Sequence, residues 1–121
     1  MSPALEVHVE AGGGYFNPGD WVSGRVDVLE GGKSRALHVE IRFRERTDDY
    51  SATPAVYGPT QLHQGELVAG ASFRFAIQLP PDCLPSFATG NAALYYEVHA
   101  QSDEPGLDTH AEALIVVTNS G

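Results

Sequence analysis

Histidine and glutamate side chains near the end of the sequence could form a metal site. Glu97 and His99 alternate with apolar residues in one segment, and His110 and Glu112 begin the next. If the chain turns back through residues 103–106, His99 lies opposite His110 and Glu97 opposite Glu112, with all four facing away from the core. Two imidazoles between two carboxylates are ligands that a divalent ion such as zinc accepts. The plainer alternative, which we favour, is a polar and solvated sheet face.

Three arginines form a basic stripe on an acidic sequence. Arg42, Arg44 and Arg46 are spaced by two, which places them on one face of a single strand. Such a row of guanidinium groups could bind a phosphorylated or carboxylate-rich segment of a partner protein through paired hydrogen bonds. The alternative, which we favour, is that the stripe relieves charge by pairing across strands with glutamates. The candidates for that pairing are Glu6, Glu10 and Glu97.

Aromatic residues surround the first strong turn signal. Tyr15 and Phe16 precede the Asn-Pro-Gly-Asp sequence at residues 17–20, and Trp21 follows it. We expect these rings to plug one end of the core, whereas the alternative is an exposed platform for a partner or ligand. The solvent exposure of Trp21 separates the two interpretations, because a ligand platform must be exposed and a core plug must be buried.

No sequence pattern indicates a catalytic site. Cys83 is the single cysteine and stands between prolines with no histidine near it in the chain. Ser86 lies in a Pro-Ser-Phe sequence and not in a Gly-x-Ser-x-Gly elbow. Phosphate-loop, dinucleotide-binding and metalloprotease motifs are also missing from the sequence. We therefore expect a protein that is not an enzyme and that needs no cofactor.

Short β-strands are the elements that must position these side chains. Apolar and polar residues alternate with period two in five segments, and a sixth segment, 111–117, has apolar residues on both faces near its end. The five are residues 5–10, 22–28, 37–44, 73–79 and 94–100. Residues 48–64 break the alternation, so we expect a loop there with a short edge strand around Val56.

These segments predict one all-β domain over residues 1–121. The 121 residues suffice for one core, and 13 glycines and 8 prolines recur between the apolar runs as turn signals. About seven short strands with regular turns are typical of a two-layer antiparallel β-sandwich of immunoglobulin-like architecture. Gly24 inside a predicted strand marks a bulge or a close backbone approach.

Charge and cysteine usage restrict partners and location. The net charge of −9 opposes binding to nucleic acid or to an anionic membrane. No apolar run reaches the roughly 18 residues of a membrane span. One cysteine allows no internal disulfide, and the first residues lack the pattern of a signal peptide. We expect a cytoplasmic protein.

Three stretches, in order along the chain, resemble the N-terminal lobe of arrestin-like proteins. Residues 15–24 resemble the family's Pro-Gly-(Asp/Glu)-x-Val-x-Gly turn and strand, and residues 37–47 are similar to its strand ending in Glu-x-Thr. Residues 73–98 contain Phe-Arg-Phe-Ala-Ile-Gln-Leu-Pro-Pro-Asp, then Leu-Pro-Ser-Phe, then Leu-Tyr-Tyr-Glu-Val. This order resembles the family's Phe-x-Phe-x-(Ile/Leu)-x-(Leu/Val)-Pro, Pro-Ser-Phe and Tyr-x-Val signature. The branch it resembles most is the bacterial sporulation-control type.

The resemblance implies a non-catalytic adaptor, scaffold or regulatory module that binds a partner protein. Arrestin-like proteins generally have two sandwich lobes, and this sequence accounts for one. An exposed edge strand, the loops or the arginine stripe could hold the partner, and an edge strand could also join copies of the chain into a homo-oligomer. The competing interpretations are a ligand- or carbohydrate-binding sandwich and a self-assembling structural domain.

Overall fold

The computed structural model describes residues 2–10 and 12–118, which are built almost wholly from β-strands. A short 3-10 turn at Gly12–Gly14 separates the first two strands. The strands are β1 (Ala4–Glu10), β2 (Tyr15–Phe16), β3 (Trp21–Glu30), β4 (Ala36–Thr47), β5 (Ser51–Gln64), β6 (Ser72–Gln78), β7 (Phe87–Ala88), β8 (Ala92–Asp103) and β9 (Thr109–Val117). Within these ranges no helix is long and apolar enough to cross a membrane.

The strands form two sheets that face each other. One sheet has the order β1-β3-β6, and the larger has the order β2-β9-β8-β4-β5 with β7 also paired to β8. Neighbouring strands are antiparallel except for the short parallel pair of β2 and β9. Strand β1 adjoins β9 and β5 adjoins β6, so the sheets approach each other along both sides. The predicted two-layer β-sandwich is confirmed.

Alternate residues of the strands fill the space between the sheets. In β3, for example, Val22, Val26 and Val28 are buried while Trp21 and Leu29 remain exposed. This is the period-two pattern read from the sequence, since successive side chains of a strand point to opposite faces. The largest fully buried side chains are Tyr96, Leu37, Ile41, Leu67 and Leu79.

The prediction of a loop over residues 48–64 is wrong, although the edge strand expected around Val56 is present and is much longer than expected. These residues contain β5, a strand of 14 residues that pairs with β4 along nearly its whole length. Pro54, Gly58 and Pro59 interrupt its alternation, and Gly58 has a φ of 56°. The pairing with β4 shifts register at three places, which absorbs the irregular residues. Strand β5 lies at a sheet edge and is largely exposed, so it lacks the buried stripe that reveals a strand.

The turn over residues 17–20 forms as expected, but the aromatic plug does not. The amide of Asp20 donates to the carbonyl oxygen of Asn17 at 3.0 Å, and Gly19 between them has a φ of 89°. Phe16 is buried, whereas Trp21 is 61% exposed and lies on the outer face of β3. Tyr15 is 63% exposed as well. The core-plug interpretation is therefore wrong for both Trp21 and Tyr15.

Candidate functional site

The outer face of the six-stranded sheet brings the predicted arginine stripe beside the predicted metal ligands. Strand β8 lies between β4 and β9, and its side chains therefore have neighbours on both sides. Arg42 of β4 is opposite Glu97 of β8, and His99 is opposite Glu40 on one side and Glu112 on the other. The sequence predicted these groups separately, and the sheet joins them into one charged surface.

The predicted pairing of His99 with His110 is wrong by two residues. Gln101 lies opposite His110, because the connection between β8 and β9 occupies residues 104–108 and is longer than the expected turn. A shift of two keeps every side chain on its predicted face, since the side-chain period is two. The two imidazoles still meet diagonally, with Nε2 of His99 2.9 Å from Nδ1 of His110.

Burial of the central residues also differs from the expectation of a solvated face. Glu97 and His99 point away from the core as predicted, yet they are only 8% and 6% exposed. Long side chains of the flanking strands cover them: Arg44 Nε lies 3.8 Å from Glu97 Oε1, and Glu112 Oε2 lies 3.5 Å from His99 Nδ1. The outer face of the sheet therefore contains a small cluster of polar side chains that are buried from solvent.

Burial within this cluster shifts the pKa values of its two central residues, Glu97 and His99. Burial, followed by the negative charge of Glu112, raises the pKa of Glu97, although Arg44 and Arg42 act in the opposite sense. Burial, followed by the positive charge of Arg42, lowers the pKa of His99 below its ordinary value. This shift favours the neutral imidazole of His99.

The three stripe arginines have different surroundings. Arg42 donates from Nε to Glu40 Oε2 at 2.5 Å, and Arg44 donates from Nη1 to Thr53 Oγ1 at 2.5 Å. Arg44 also faces Glu97, as the charge-pairing interpretation expected. That interpretation is wrong for the two N-terminal glutamates, which lie in the other sheet.

Arg46 differs from the other two arginines. Its side chain is exposed, and no described residue accepts a hydrogen bond from its guanidinium group or forms an ion pair with it. Any role of the stripe in binding an acidic partner therefore falls mainly on Arg46.

Arg46 stands at the rim of a groove of about 760 Å³ on the same sheet face. Its apolar walls include Phe87, Leu114 and Val116, which are 58%, 69% and 40% exposed. Tyr95 forms part of the lining between them, and the residues lining the groove also include Glu97 and Glu112. We call this surface the β9 groove. Contiguous apolar surface of this kind, rimmed by charge, commonly marks a place where another molecule binds.

Sequence reasoning did not find the β9 groove, although it contained a signal. Residues 111–117 are apolar on both faces near their end, which places Leu114 and Val116 outside the core. The other wall comes from β7, which has only two residues and no detectable alternation. Strand β9 pairs with residues 96–102 of β8, and β7 pairs with residues 93–94 of the same strand. This shared pairing to β8 brings the two walls together.

The strand order and the two facing sheets define an arrestin-like fold. Among solved structures, the chain is similar to Spo0M, a sporulation control protein from Bacillus subtilis, with a TM-score of 0.74 and 18% sequence identity. The similarity covers 99% of this chain and 51% of that one, so the chain spans about half the length of the structure that it matches. No protein-family model matches the sequence. No curated protein matches it either.

Proposed function

We propose that this chain is a non-catalytic regulatory module that binds an acidic segment of a partner protein in the β9 groove. The observation that carries the proposal is the position of the unpaired Arg46 at the rim of an exposed apolar groove. The similarity to a sporulation control protein and the arrestin-like fold support a regulatory and non-catalytic role by analogy of fold.

The sheet register indicates what the partner segment must look like. Arg46 of β4 is opposite Ala93 of β8, and Leu114 of β9 is opposite Glu97 of β8. These two positions are four residues apart along β8. Four strand residues span about 13 Å. An extended peptide running along the groove would therefore place an acidic or phosphorylated residue about four positions from a large apolar side chain. The carboxylate or phosphate would bind the Arg46 guanidinium, and the apolar side chain would cover Leu114.

The test uses peptides selected from a random phage-displayed library on the immobilised domain. We expect the selected peptides to share an acidic residue and a large apolar residue at that spacing. Fluorescence polarisation would then compare Arg46→Gln and Leu114→Ser with the wild type, and we expect each to bind at least about tenfold more weakly, or about 1.4 kcal/mol.

Two matched controls make the result specific to the groove. Arg74 is an exposed arginine on the other sheet, and Leu107 is a 91% exposed leucine in the loop before β9. Arg74→Gln and Leu107→Ser should bind like the wild type. Peptides that bind all four variants equally, or a library that yields no binding peptide, would overturn the proposal.

One observation favours a second function, the binding of a carbohydrate or another flat ligand. Trp21 is largely exposed on the three-stranded sheet, as a stacking platform requires. It is the single tryptophan of the chain, so its fluorescence reports on this position alone. Titration with a panel of soluble oligosaccharides should quench or shift that emission if the ring is a platform. Unchanged emission across the panel would exclude these sugars as ligands of Trp21.

A further inference from the structure

We propose that Glu97, His99 and Glu112 bind a divalent transition-metal ion of the zinc class. One ligand atom from each residue lies within 4.8 Å of the other two. Nδ1 of His99 is 3.5 Å from Glu112 Oε2 and 3.8 Å from Glu97 Oε1. Ligand atoms about 2.0–2.1 Å from a tetrahedral zinc ion stand about 3.3 Å apart. The two distances to His99 are therefore slightly longer than in a loaded site, and the separation of up to 4.8 Å among the ligand atoms would have to shorten by rotation of the two glutamates.

The Nδ1 atom of His99 provides the strongest indication of a missing ligand. It is buried, it points between the two carboxylates, and no described residue forms a hydrogen bond with it. A buried polar atom without a partner costs about 1–3 kcal/mol, so native proteins rarely leave one. Coordination to a metal ion would satisfy this atom in the direction in which it already points.

The hydrogen bond between the two imidazoles is compatible with the form of His99 that a metal requires. When Nε2 of His99 donates to Nδ1 of His110 at 2.9 Å, the Nδ1 of His99 keeps its lone pair. Three acceptor atoms then converge with no hydrogen between them, an arrangement that a cation at their centre would stabilise. The opposite tautomer would direct Nδ1–H at Glu112 over 3.5 Å, well beyond the 2.7–2.9 Å of a charge-assisted hydrogen bond. A second partner that fixes the tautomer is a regular feature of histidine ligands.

The charges around the cluster also admit a cation. Glu40, Glu97 and Glu112 bring three carboxylates to this region, while Arg42 and Arg44 bring two guanidinium groups. The sum of these five charges is one negative charge. Glu97 is buried beside the like charge of Glu112, and a divalent ion between them would replace repulsion with attraction. One nitrogen and two carboxylate oxygens suit zinc and its neighbours better than calcium, which prefers oxygen ligands alone.

The proposed site has three protein ligands and one open position. Glu97 and Glu112 both line the β9 groove, so the fourth coordination position is accessible from solvent. Three protein ligands with an open fourth position are typical of zinc sites that bind water or another ligand, whereas structural zinc sites are closed. The metal site and the proposed peptide share the β9 groove, but zinc binding by these three residues does not require a bound peptide.

The test is isothermal titration calorimetry of zinc chloride into protein that has been treated with chelator and dialysed. We expect saturable binding of one ion per chain and a rise in the thermal unfolding temperature on loading. Cobalt(II) in place of zinc should give the strong visible absorption of a tetrahedral site. No saturable heat would overturn the proposal.

Variants then assign the ligands. Glu112 is half exposed, so Glu112→Gln should fold and should bind zinc at least about 100-fold more weakly. His110→Ala should weaken binding by about 10- to 100-fold, because His99 loses the group that orients it. His38→Gln is the matched control, since this histidine lies on the same strand face of β4 outside the cluster, and it should bind like the wild type. Equal zinc affinity in Glu112→Gln and the wild type would overturn the proposal.

Discussion

The phenolic oxygen of Tyr96 donates a hydrogen bond to the backbone carbonyl oxygen of Leu84. Tyr96 is fully buried in β8, and its ring lies 4.8 Å from that of Phe43. Leu84 belongs to the proline-rich connection between β6 and β7, whose backbone hydrogen bonds to other segments lie at its two ends, from Leu79 to Asp20 and from Ser86 to Val117. This contact gives a physical role to the tyrosine of the Tyr-x-Val sequence, because it ties the connection that forms one wall of the β9 groove to the central strand.

We expect Tyr96→Phe to lower the free energy of unfolding by about 1–2 kcal/mol. The substitution keeps the ring and its packing but leaves the Leu84 carbonyl oxygen without this donor. Urea unfolding followed by circular dichroism would measure the change. The neighbouring Tyr95 lies on the outer face, and Tyr95→Phe should change stability by less than about 0.5 kcal/mol. Equal effects of the two substitutions would contradict the assigned role.

Strands with one face in the core were predictable, and β5 was not. Segments such as 22–28 and 37–44 alternate because the core selects every second residue. Strand β5 lies at the sheet edge with most residues exposed, and only Ala55, Tyr57 and Leu62 pack partly against the core, so the sequence contains no regular apolar stripe there. Pro54 and Pro59 are turn signals in the sequence but are compatible with an edge strand in the structure.

The candidate site was predictable by face but not by register. Period-two spacing correctly placed Glu97, His99, His110 and Glu112 on one face. Which residue lies opposite which depends on the geometry of the loop at 104–108. Hydrogen bonds to Asp108 within the loop and the long-range bond from Arg35 Nη2 to the carbonyl oxygen of Glu104 contribute to that geometry. The β9 groove needed the positions of β7 and β9 together, which local patterns do not contain.

Gly24 was predicted to mark a close backbone approach, and the structure confirms it. A Cβ atom at this position would lie 2.1 Å from the carbonyl oxygen of His8 and 2.8 Å from Cζ of Phe75. We therefore expect Gly24→Ala to destabilise the fold by about 1–3 kcal/mol, because β1 or β6 must move. Gly90→Ala is the control, since a Cβ there meets nothing within 4 Å. Chemical unfolding that gives equal midpoints for the two variants would refute this explanation.

Stability should fall at alkaline pH because buried acidic groups must keep their protons in the folded state. Burial raises the pKa of Cys83 above its ordinary value of 9.0, and burial likewise raises the pKa values of Tyr57 and Tyr96. A raised pKa stabilises the fold fully below the ordinary value, and this contribution is lost as the pH rises through the folded-state pKa.

The Cys83→Ala variant tests this expectation. Above pH about 8.5, where an exposed thiol begins to ionise, its unfolding free energy should decline less steeply than that of the wild type. The comparison uses slopes, since removal of the buried sulfur also lowers stability at every pH. Parallel pH profiles for the two proteins would show that the thiol makes no such contribution.

Asp108 should stabilise the loop between β8 and β9 only while it is ionised. Its carboxylate accepts a hydrogen bond from the Glu104 amide at 3.0 Å and another from Gln101 Nε2 at 2.6 Å. The Glu104 bond, followed by the Gln101 bond, lowers its pKa below the ordinary value of 3.8. A lowered pKa stabilises the fold above the ordinary value, and this contribution disappears as the pH falls through the folded-state pKa.

Asp108→Asn should therefore be less stable than the wild type at neutral pH, and the two should converge below pH about 4 in thermal unfolding. Asp48→Asn, at an exposed position in the β4–β5 turn, should follow the wild type at both ends of this range. A constant difference between Asp108→Asn and the wild type across the acid range would mean that the side chain acts by shape and not by charge.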